Sequence, residues 1–363
     1  MVNAPVDRRG RALPGPWTGQ IVQAAAKRVR SSMFLMAQKM FFDAPKILGS
    51  GCLIRGAIAL GWAALAGCGP PDAGGPPGDG RPRVVATTTV VADLVRQVAG
   101  ERVVVECLMP PGIDPHSYKA TPRDADRLLR ADLVVASGLH LEGRLAALLE
   151  RLADRVPFVA VADRLPPDRL LEADGGLSDP HVWFDAALWS QAAAPVAAAL
   201  AGIDPDAAVA YETAAEAYAA RLHELDAAIR QRIASIPAER RVLVTAHDAF
   251  RYFGRAYGIE VVGVQGTNTT SEAGLADVNR LVELVVSRKI PAVFVETSVA
   301  DRNVTALIEG AAARGHRLAL GGRLYSDSLG QSGGDGETLE AALEANVARI
   351  VAGLARGPEA VSP

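Results

Sequence analysis

The alternation of short β-rich runs with helical segments is the feature that most constrains the fold. The first predicted strand is Val84–Thr88, and a helix at Val90–Ala99 follows it and ends at Gly100. The same succession then repeats along most of the chain. Strands that alternate with helices form parallel sheets, because the connection between parallel strands needs a crossover that is usually helical. The sequence therefore predicts an α/β fold.

One long helical segment divides these elements into two groups. Between Pro205 and Ile236, apolar residues recur every three or four positions, which is the helical period. At 1.5 Å per residue this helix would run roughly 45 Å. The other predicted strands are Val103–Met109, Leu133–Ser137 and Phe158–Val161 before it, and Val242–Thr245, Glu260–Val264, Ala292–Glu296 and Arg317–Leu320 after it. We predict two parallel-sheet lobes, 84–204 and 237–356, joined by a single long rigid helix at 205–236.

The N-terminal part contains an export signal. The apolar run Gly56–Gly67 follows Arg55 and ends in small residues directly before Cys68. Its 12 residues are too few to span a bilayer, which takes ~20. The sequence Leu-Ala-Gly-Cys resembles a bacterial lipobox, in which the cysteine is acylated; an ordinary signal peptide or a buried helix are the alternatives. We predict that residues 1–67 are an N-terminal extension with a lipoprotein signal peptide, and that Cys68 is the lipidation site.

The segment after Cys68 predicts a tether outside the cytoplasm. Residues 68–83 are rich in Gly and Pro and bury too little apolar surface to fold, so we expect a lipid-anchored flexible linker. Cys52 would be removed with the signal and Cys68 acylated, which leaves Cys107 as an inert core thiol. The predicted location is periplasmic or at the cell surface, with the lipid as the only membrane contact.

The charge of the chain argues against one class of partner. The formal net charge is −3, and Lys and Arg are scattered along the sequence. Such a sequence does not predict the positively charged surface that would attract nucleic acid. We therefore expect no nucleic-acid partner.

Four polar side chains follow predicted strands, where open parallel sheets bind ligands. His116 follows the second strand, His181 ends the loop after the fourth, His247 comes soon after Val242–Thr245, and Asp327 follows the last strand. Each lobe thus contributes two donors. Four N/O donors are the number that a tetrahedral zinc-type site takes. The sequence predicts a metal site in the cleft between the lobes.

A repeated tripeptide supports this interpretation. A single loop histidine is more often a capping or solvated residue, but Asp-Pro-His occurs at both 114–116 and 179–181 in a chain with only six histidines. Proline fixes φ, so each histidine would leave a rigid turn with its ring already directed. The repeat therefore favours a functional role for His116 and His181.

Five longer motifs follow one another along the chain. They are Asp-Pro-His-Ser-Tyr at 114–118 with Thr121-Pro122, Asp-Pro-His-Val-Trp-Phe-Asp at 179–185, Thr-Ala-His-Asp-Ala-Phe-Arg-Tyr-Phe-Gly at 245–254, Ser-Glu-Ala-Gly at 271–274 and Tyr-Ser-Asp at 325–327. Together they resemble the zinc/manganese solute-binding family of ABC importers, the TroA-like cluster. The resemblance extends over about Val84–Leu354 and includes the long helix, which matches the family's rigid interlobe helix. Motifs in this order are a much stronger signal than any one of them.

This resemblance implies a transport function. His116, His181, His247 and Asp327 match the family's metal ligands, and one divalent transition-metal ion would be the cargo. The implied partners are the permease and the ATPase of an ABC importer, and the implied state is a monomer without enzymatic activity.

Two departures from the family's patterns concern the choice of metal. Zinc-specific members often have a His-rich acidic loop in the first lobe, whereas Val156–Leu177 contains no histidine. Typical manganese members have Glu at the position of His247. Three imidazoles and one carboxylate favour zinc slightly over manganese, because zinc is the softer ion and lies higher in the Irving–Williams order.

Other residues are candidates for supporting roles. We predict that Glu296, at the end of a strand, orients a ligand imidazole, and that Trp183 packs under His181 and excludes water. His140 follows a strand and is a further candidate near the cleft.

Two other functions are the alternatives. A zinc-dependent metalloenzyme would keep one coordination position open, whereas four protein ligands would close the site, and the chain has no His-Glu-x-x-His sequence. A metal-stabilised surface adhesin would hold its metal permanently. Reversible exchange of the metal by the folded protein separates transport from that role.

Overall fold

A computed structural model describes residues 80–271 and 273–355. The predicted signal peptide, Cys68 and most of the predicted tether lie outside the described residues. The strands are β1 Arg83–Ala86, β2 Val104–Cys107, β3 Leu133–Ala136, β4 Phe158–Ala160, β5 Val242–His247, β6 Glu260–Gln265, β7 Ala292–Glu296 and β8 Ala319–Leu324. The helices are α1 Thr89–Ala99, α2 Pro122–Leu129, α3 Ala146–Ala153, α4 Ala186–Trp189, α5 Ala193–Ile203, α6 Ala208–Ala234, α7 Arg251–Tyr257, α8 Leu275–Ser287, α9 Arg302–Ala313 and α10 Leu339–Ala355.

The first lobe contains a four-stranded parallel sheet in the order β2-β1-β3-β4. Alternate residues of β1 point to opposite faces, so Val84 packs with α1 and α5, while Val85 packs with α2 and α3. Local sequence fixes the helix ends. Thr88 caps α1, and Thr121 forms a capping box with Asp124 at the start of α2. The predicted α/β fold is confirmed in this lobe.

The second lobe contains two parallel pairs, β5 with β6 and β7 with β8, and β5 lies beside β7. Its eighth strand differs from the prediction, which placed it at Arg317–Leu320. The strand continues through Gly321 and Gly322, which carry no β-strand signal in the sequence. A Cβ at Gly321 would lie 2.5 Å from the ring of Phe294, so glycine is required for this close pairing.

The predicted long helix is confirmed as α6, with 27 residues. A 3₁₀ turn at Pro205–Ala207 precedes it and extends the helical segment to the predicted start. Its buried residues recur every three or four positions and are Tyr211, Ala215, Tyr218, Leu222, Leu225, Ile229 and Ile233. The buried stripe packs against α1, α4, α5, α7 and α10, so the helix is in contact with both lobes.

The lobes are also connected by one continuous hydrophobic core. This core contains β1 and α1 of the first lobe, the buried stripe of α6, and Phe250, Phe294 and Leu343 of the second lobe. Each lobe also has one further hydrophobic core of its own. The shared core is a second connection between the lobes, in addition to the helix.

The segment Ala186–Ile203 is long and apolar enough to cross a membrane by length and composition. Half of it is buried inside the protein, and α4 and α5 within it pack against α6. Its apolar character is accounted for by this packing in the core.

The central position of α6 predicts unequal effects of two leucine truncations. Leu222 on α6 is fully buried, whereas Leu275 at the start of α8 is 86% exposed. We expect Leu222→Ala to lower the free energy of unfolding by about 2–5 kcal/mol, because it removes buried methyl groups and leaves a cavity. Leu275→Ala should stay within about 0.5 kcal/mol of the parent. Urea unfolding measures both, and equal losses would contradict the central role of α6.

Candidate metal centre

Four side chains from both lobes converge at one buried point. They are His116, His181, His247 and Asp327, and their potential ligand atoms all lie within 4.8 Å of one another. All four residues are buried. In the described parts of the chain, no second group of three or more His, Cys, Asp or Glu donors is arranged in this way. The structure thus brings together the four residues that the sequence singled out.

The two Asp-Pro-His turns have the same local geometry. Oδ1 of Asp114 accepts a hydrogen bond from the backbone N–H of His116 at 2.9 Å, and Oδ1 of Asp179 accepts one from the backbone N–H of His181 at 3.0 Å. An aspartate that bonds to the backbone two residues further on forms an Asx turn. The repeated tripeptide is therefore a structural unit that fixes where each histidine leaves the chain.

His247 is positioned by its own strand and by a carboxylate on a neighbouring strand. It is the last residue of β5, two residues beyond the end of the predicted strand, and its backbone N–H donates to Oε1 of Glu296 at 2.8 Å. Glu296 is the last residue of the adjacent strand β7. Two neighbouring strand ends thus place an imidazole and a carboxylate side by side.

Asp327 lies just beyond the end of β8. Asn346 of α10 bonds to both backbone groups of Tyr325: it accepts from the N–H at 2.9 Å and donates to the carbonyl at 2.7 Å. The hydroxyl of Ser298 donates to Oδ2 of Asp327 at 3.3 Å. These bonds fix the turn that directs the carboxylate toward the histidines.

The distances between donor atoms suit a small divalent ion. Nε2 of His116 lies 3.2 Å from Nε2 of His181, and the two oxygens of Asp327 lie 3.3 Å from Nε2 of His181 and 3.3 Å from Nε2 of His247. Bonds of about 2.0–2.1 Å to a tetrahedral zinc ion would place donors about 3.3 Å apart. Among the described residues, Nε2 of His247 and Oδ1 of Asp327 are buried with no hydrogen-bond partner. A cation would satisfy these atoms.

Two buried carboxylates contact the far side of the imidazoles. Nδ1 of His181 lies 2.8 Å from Oδ1 of Asp179, and Nδ1 of His247 lies 2.5 Å from Oε2 of Glu296. A carboxylate at Nδ1 fixes the tautomer that leaves Nε2 free to bind a metal. Glu296, which the sequence analysis proposed for this role, lies beside the ring of His247, whereas Asp179 was not among the candidates for it. The signal for Asp179 was its place in the repeated tripeptide.

The buried charges shift the pKa values of the cluster. Burial acts to lower the pKa of His181, but the neighbouring carboxylates of Asp179 and Asp327 raise it to about 9. Burial likewise opposes protonation of His247, but Glu296 and Asp327 raise its pKa well above the usual value. The pKa of Asp327 lies well below its usual range, because the two histidines outweigh the effect of burial. The site therefore favours positive charge, which protons or a cation can supply.

His116 behaves differently from the other two histidines. Burial lowers its pKa to about 4, with smaller effects from Asp327 and the neighbouring imidazoles. Its ring is therefore neutral at physiological pH, which is the form that binds metals.

The remaining sequence candidates lie around the cluster or away from it. Trp183 is buried, its ring lies 5.4 Å from that of His181, and its Nε1–H donates to the carbonyl of Ser326 in the second lobe at 3.2 Å. His140 is exposed and lines a separate cavity of about 590 Å³ in the first lobe. Its turn contains three successive residues with positive φ, Gly138 to His140, which no sequence pattern had indicated.

Comparison with known proteins finds a matching family and similar proteins over most of the chain. Residues 84–353 match the family model for ZnuA, the periplasmic component A of zinc-uptake complexes. The manganese-binding lipoprotein MntA of Bacillus subtilis is 42% identical over 302 residues, which cover 83% of this chain and 98% of that relative. The zinc-binding protein TroA of Treponema pallidum is 43% identical over 278 residues, which cover 77% of this chain and 90% of TroA.

A solved structure shares the fold. The periplasmic zinc-binding protein TroA from Treponema pallidum superimposes with a TM-score of 0.75 and 42% identity, and the match covers 76% of this chain and all of that structure. The predicted resemblance is confirmed by the family match, by these relatives and by the shared fold. The chain belongs to the ZnuA family of periplasmic zinc-uptake components.

Proposed function

We propose that this protein captures one divalent transition-metal ion outside the cytoplasm and delivers it to the permease and ATPase of an ABC importer. The observation that carries the proposal is the buried cluster of three imidazoles and one carboxylate, contributed equally by the two lobes. Membership of the ZnuA family supports a solute-binding transport protein rather than an enzyme.

In this proposal, each residue of the cluster has a defined task. Nε2 of His116, His181 and His247 and the carboxylate of Asp327 bind the ion. Asp179 and Glu296 hold two of the imidazoles in the required tautomer. Because all four ligands are buried, the ion can exchange only when the lobes or their loops separate.

Zinc is the metal that we propose as slightly preferred over manganese. The names of the two close relatives give one of each, manganese for MntA and zinc for TroA, so similarity does not decide between them. The donor set supports zinc, since three imidazoles and one carboxylate suit zinc, and zinc lies above manganese in the Irving–Williams order.

We further propose that the mature protein is a monomer held to a bacterial membrane by a lipid at Cys68. The support is the Leu-Ala-Gly-Cys sequence with its preceding apolar run, together with relatives that are named lipoproteins.

Removal of one ligand should weaken metal binding strongly. We expect His116→Ala and His181→Ala each to lower zinc affinity by at least about 100-fold, because the loss of a ligand opens the coordination shell and exceeds the 10–100-fold effect typical of outer partners. His140→Ala is the matched control and should bind zinc as the parent does. Competition with a chromophoric chelator measures the affinities. Parental affinity in both ligand variants would refute the assignment of the site.

Replacement of His247 should change the metal preference. A carboxylate is a harder donor than imidazole and can bind through two oxygens, so we expect His247→Glu to raise the affinity for manganese relative to zinc. Zinc can still bind more tightly in absolute terms, because the Irving–Williams order persists. Titrations of parent and variant with both metals give the ratio of affinities. A ratio that is unchanged or shifted toward zinc would contradict a ligand role for His247.

Loss of the acylated thiol should release the protein. We expect Cys68→Ser to move the mature protein from the membrane fraction to the soluble extracytoplasmic fraction, because acylation at Cys68 is the only proposed anchor. Cys107→Ser is the control and should remain membrane-bound. Fractionation after a high-salt wash measures this, and a Cys68→Ser protein that stays with membranes would disprove the anchor.

A further inference from the structure

The two Asp-Pro-His turns differ in what the aspartate contacts beyond its own turn. In the second turn, Asp179 contacts the ring of His181. In the first turn, Oδ2 of Asp114 accepts a hydrogen bond from the hydroxyl of Thr269 at 2.7 Å. Thr269 belongs to the second lobe, in the loop that follows β6. Both turns are bonded across the cleft, since the carbonyl of Asp179 accepts a hydrogen bond from the hydroxyl of Tyr252 at 3.0 Å. The first turn differs in that its aspartate carboxylate bonds to a hydroxyl of the second lobe and not to its own ligand ring.

His116 has less direct support than the other ligand histidines. It is the most exposed residue of the cluster, although only 3% of it is accessible. Among the described residues, no carboxylate is paired with its Nδ1 in the way that Asp179 and Glu296 are paired with the other two rings. Its position depends on the backbone of its turn, which Asp114 holds through the N–H of His116.

A second bond ties the same turn to the opposite lobe. The backbone N–H of Gly112 donates to the hydroxyl of Ser328 at 2.8 Å, next to Asp327. The segment that contains Ser328 is itself held by the first lobe, because the N–H of Leu329 donates to the hydroxyl of Thr89 at 2.8 Å. The Gly112 end of the turn therefore has a well-supported partner, whereas the Asp114 end is bonded to the second lobe through Thr269.

We propose that Thr269 is a positioning residue that holds the His116 turn closed over the bound metal and slows its release. The inference rests on the proposed function. The hydroxyl of Thr269 bonds to Asp114, Asp114 fixes the backbone of His116, and His116 supplies Nε2 to the ion. When the Thr269 bond breaks, the Asp114 end of the turn is released from the second lobe and can move outward with the imidazole of His116, while Gly112 stays bonded to Ser328.

The size of the effect follows from the type of bond. A hydrogen bond to an ionised carboxylate is stronger than one between neutral groups. Among the contacts described above, Gly112 provides the one other bond from this turn across the cleft. Few other contacts can therefore compensate for loss of the Thr269 bond. Loss of the hydroxyl should therefore speed zinc dissociation by about tenfold.

Three variants of the full mature protein test the proposal. Thr269→Val keeps the shape and removes the hydroxyl, Thr269→Ser keeps the hydroxyl, and Thr270→Val changes the exposed neighbour, whose backbone N–H bonds to Asn268. Each protein is loaded with zinc and mixed rapidly with excess EDTA, and the dissociation rate is followed by intrinsic fluorescence. Urea unfolding of the same proteins reports any general loss of stability.

The expected result separates positioning from structure. Thr269→Val should release zinc about tenfold faster at an unchanged unfolding midpoint, while Thr269→Ser and Thr270→Val release it at the parental rate. A parental rate in Thr269→Val would overturn the inference, and so would a Thr269→Ser protein as fast as Thr269→Val, since the hydroxyl would then be irrelevant. A parent protein that binds neither zinc nor manganese would instead refute the proposed function itself.

Discussion

Buried negative charge is the constraint on which the arrangement of this protein depends. The carboxylates of Asp179, Glu296 and Asp327 are all enclosed in the protein, where an uncompensated charge would be strongly destabilising. Two of them are placed against imidazole rings, and the third faces all three rings. The interior is therefore built to receive positive charge.

The fold provides this arrangement through strand ends rather than through a dedicated loop. His247 and Glu296 are the final residues of β5 and β7, two strands that lie side by side, and the bond from the backbone N–H of His247 to Glu296 holds the two strand ends together. His116 and His181 leave rigid turns that their own aspartates close. Because a hydrophobic core runs continuously between the lobes, the two halves of the ligand set keep a defined distance from each other.

Much of this was predictable, for physical reasons that also explain the gaps. The hydrophobic period identifies the long helix, and the rule that ligands bind at carboxyl ends of parallel strands selects His116, His181, His247 and Asp327. The contact between Asp179 and its own histidine ring, the shared core and the bond from Thr269 to Asp114 depend on tertiary packing, which one sequence does not display. The sequence does not indicate the turn at Gly138 to His140, because Leu139 and His140 adopt positive φ although neither is glycine. The extent of β8 was missed because Gly321 and Gly322 look like a strand end.

The continuous core between the lobes limits the kind of signal that this protein can give a transporter. A wide separation of the lobes would bring Phe250, Phe294 and Leu343 into water, at about 25 cal/mol for each Å² of apolar surface exposed. Gain or loss of the ion must therefore leave the outline of the molecule nearly constant. The loaded and empty forms then differ only locally, in the shape and polarity of the rim around the cleft. A membrane partner that distinguishes the two forms has to contact that rim directly.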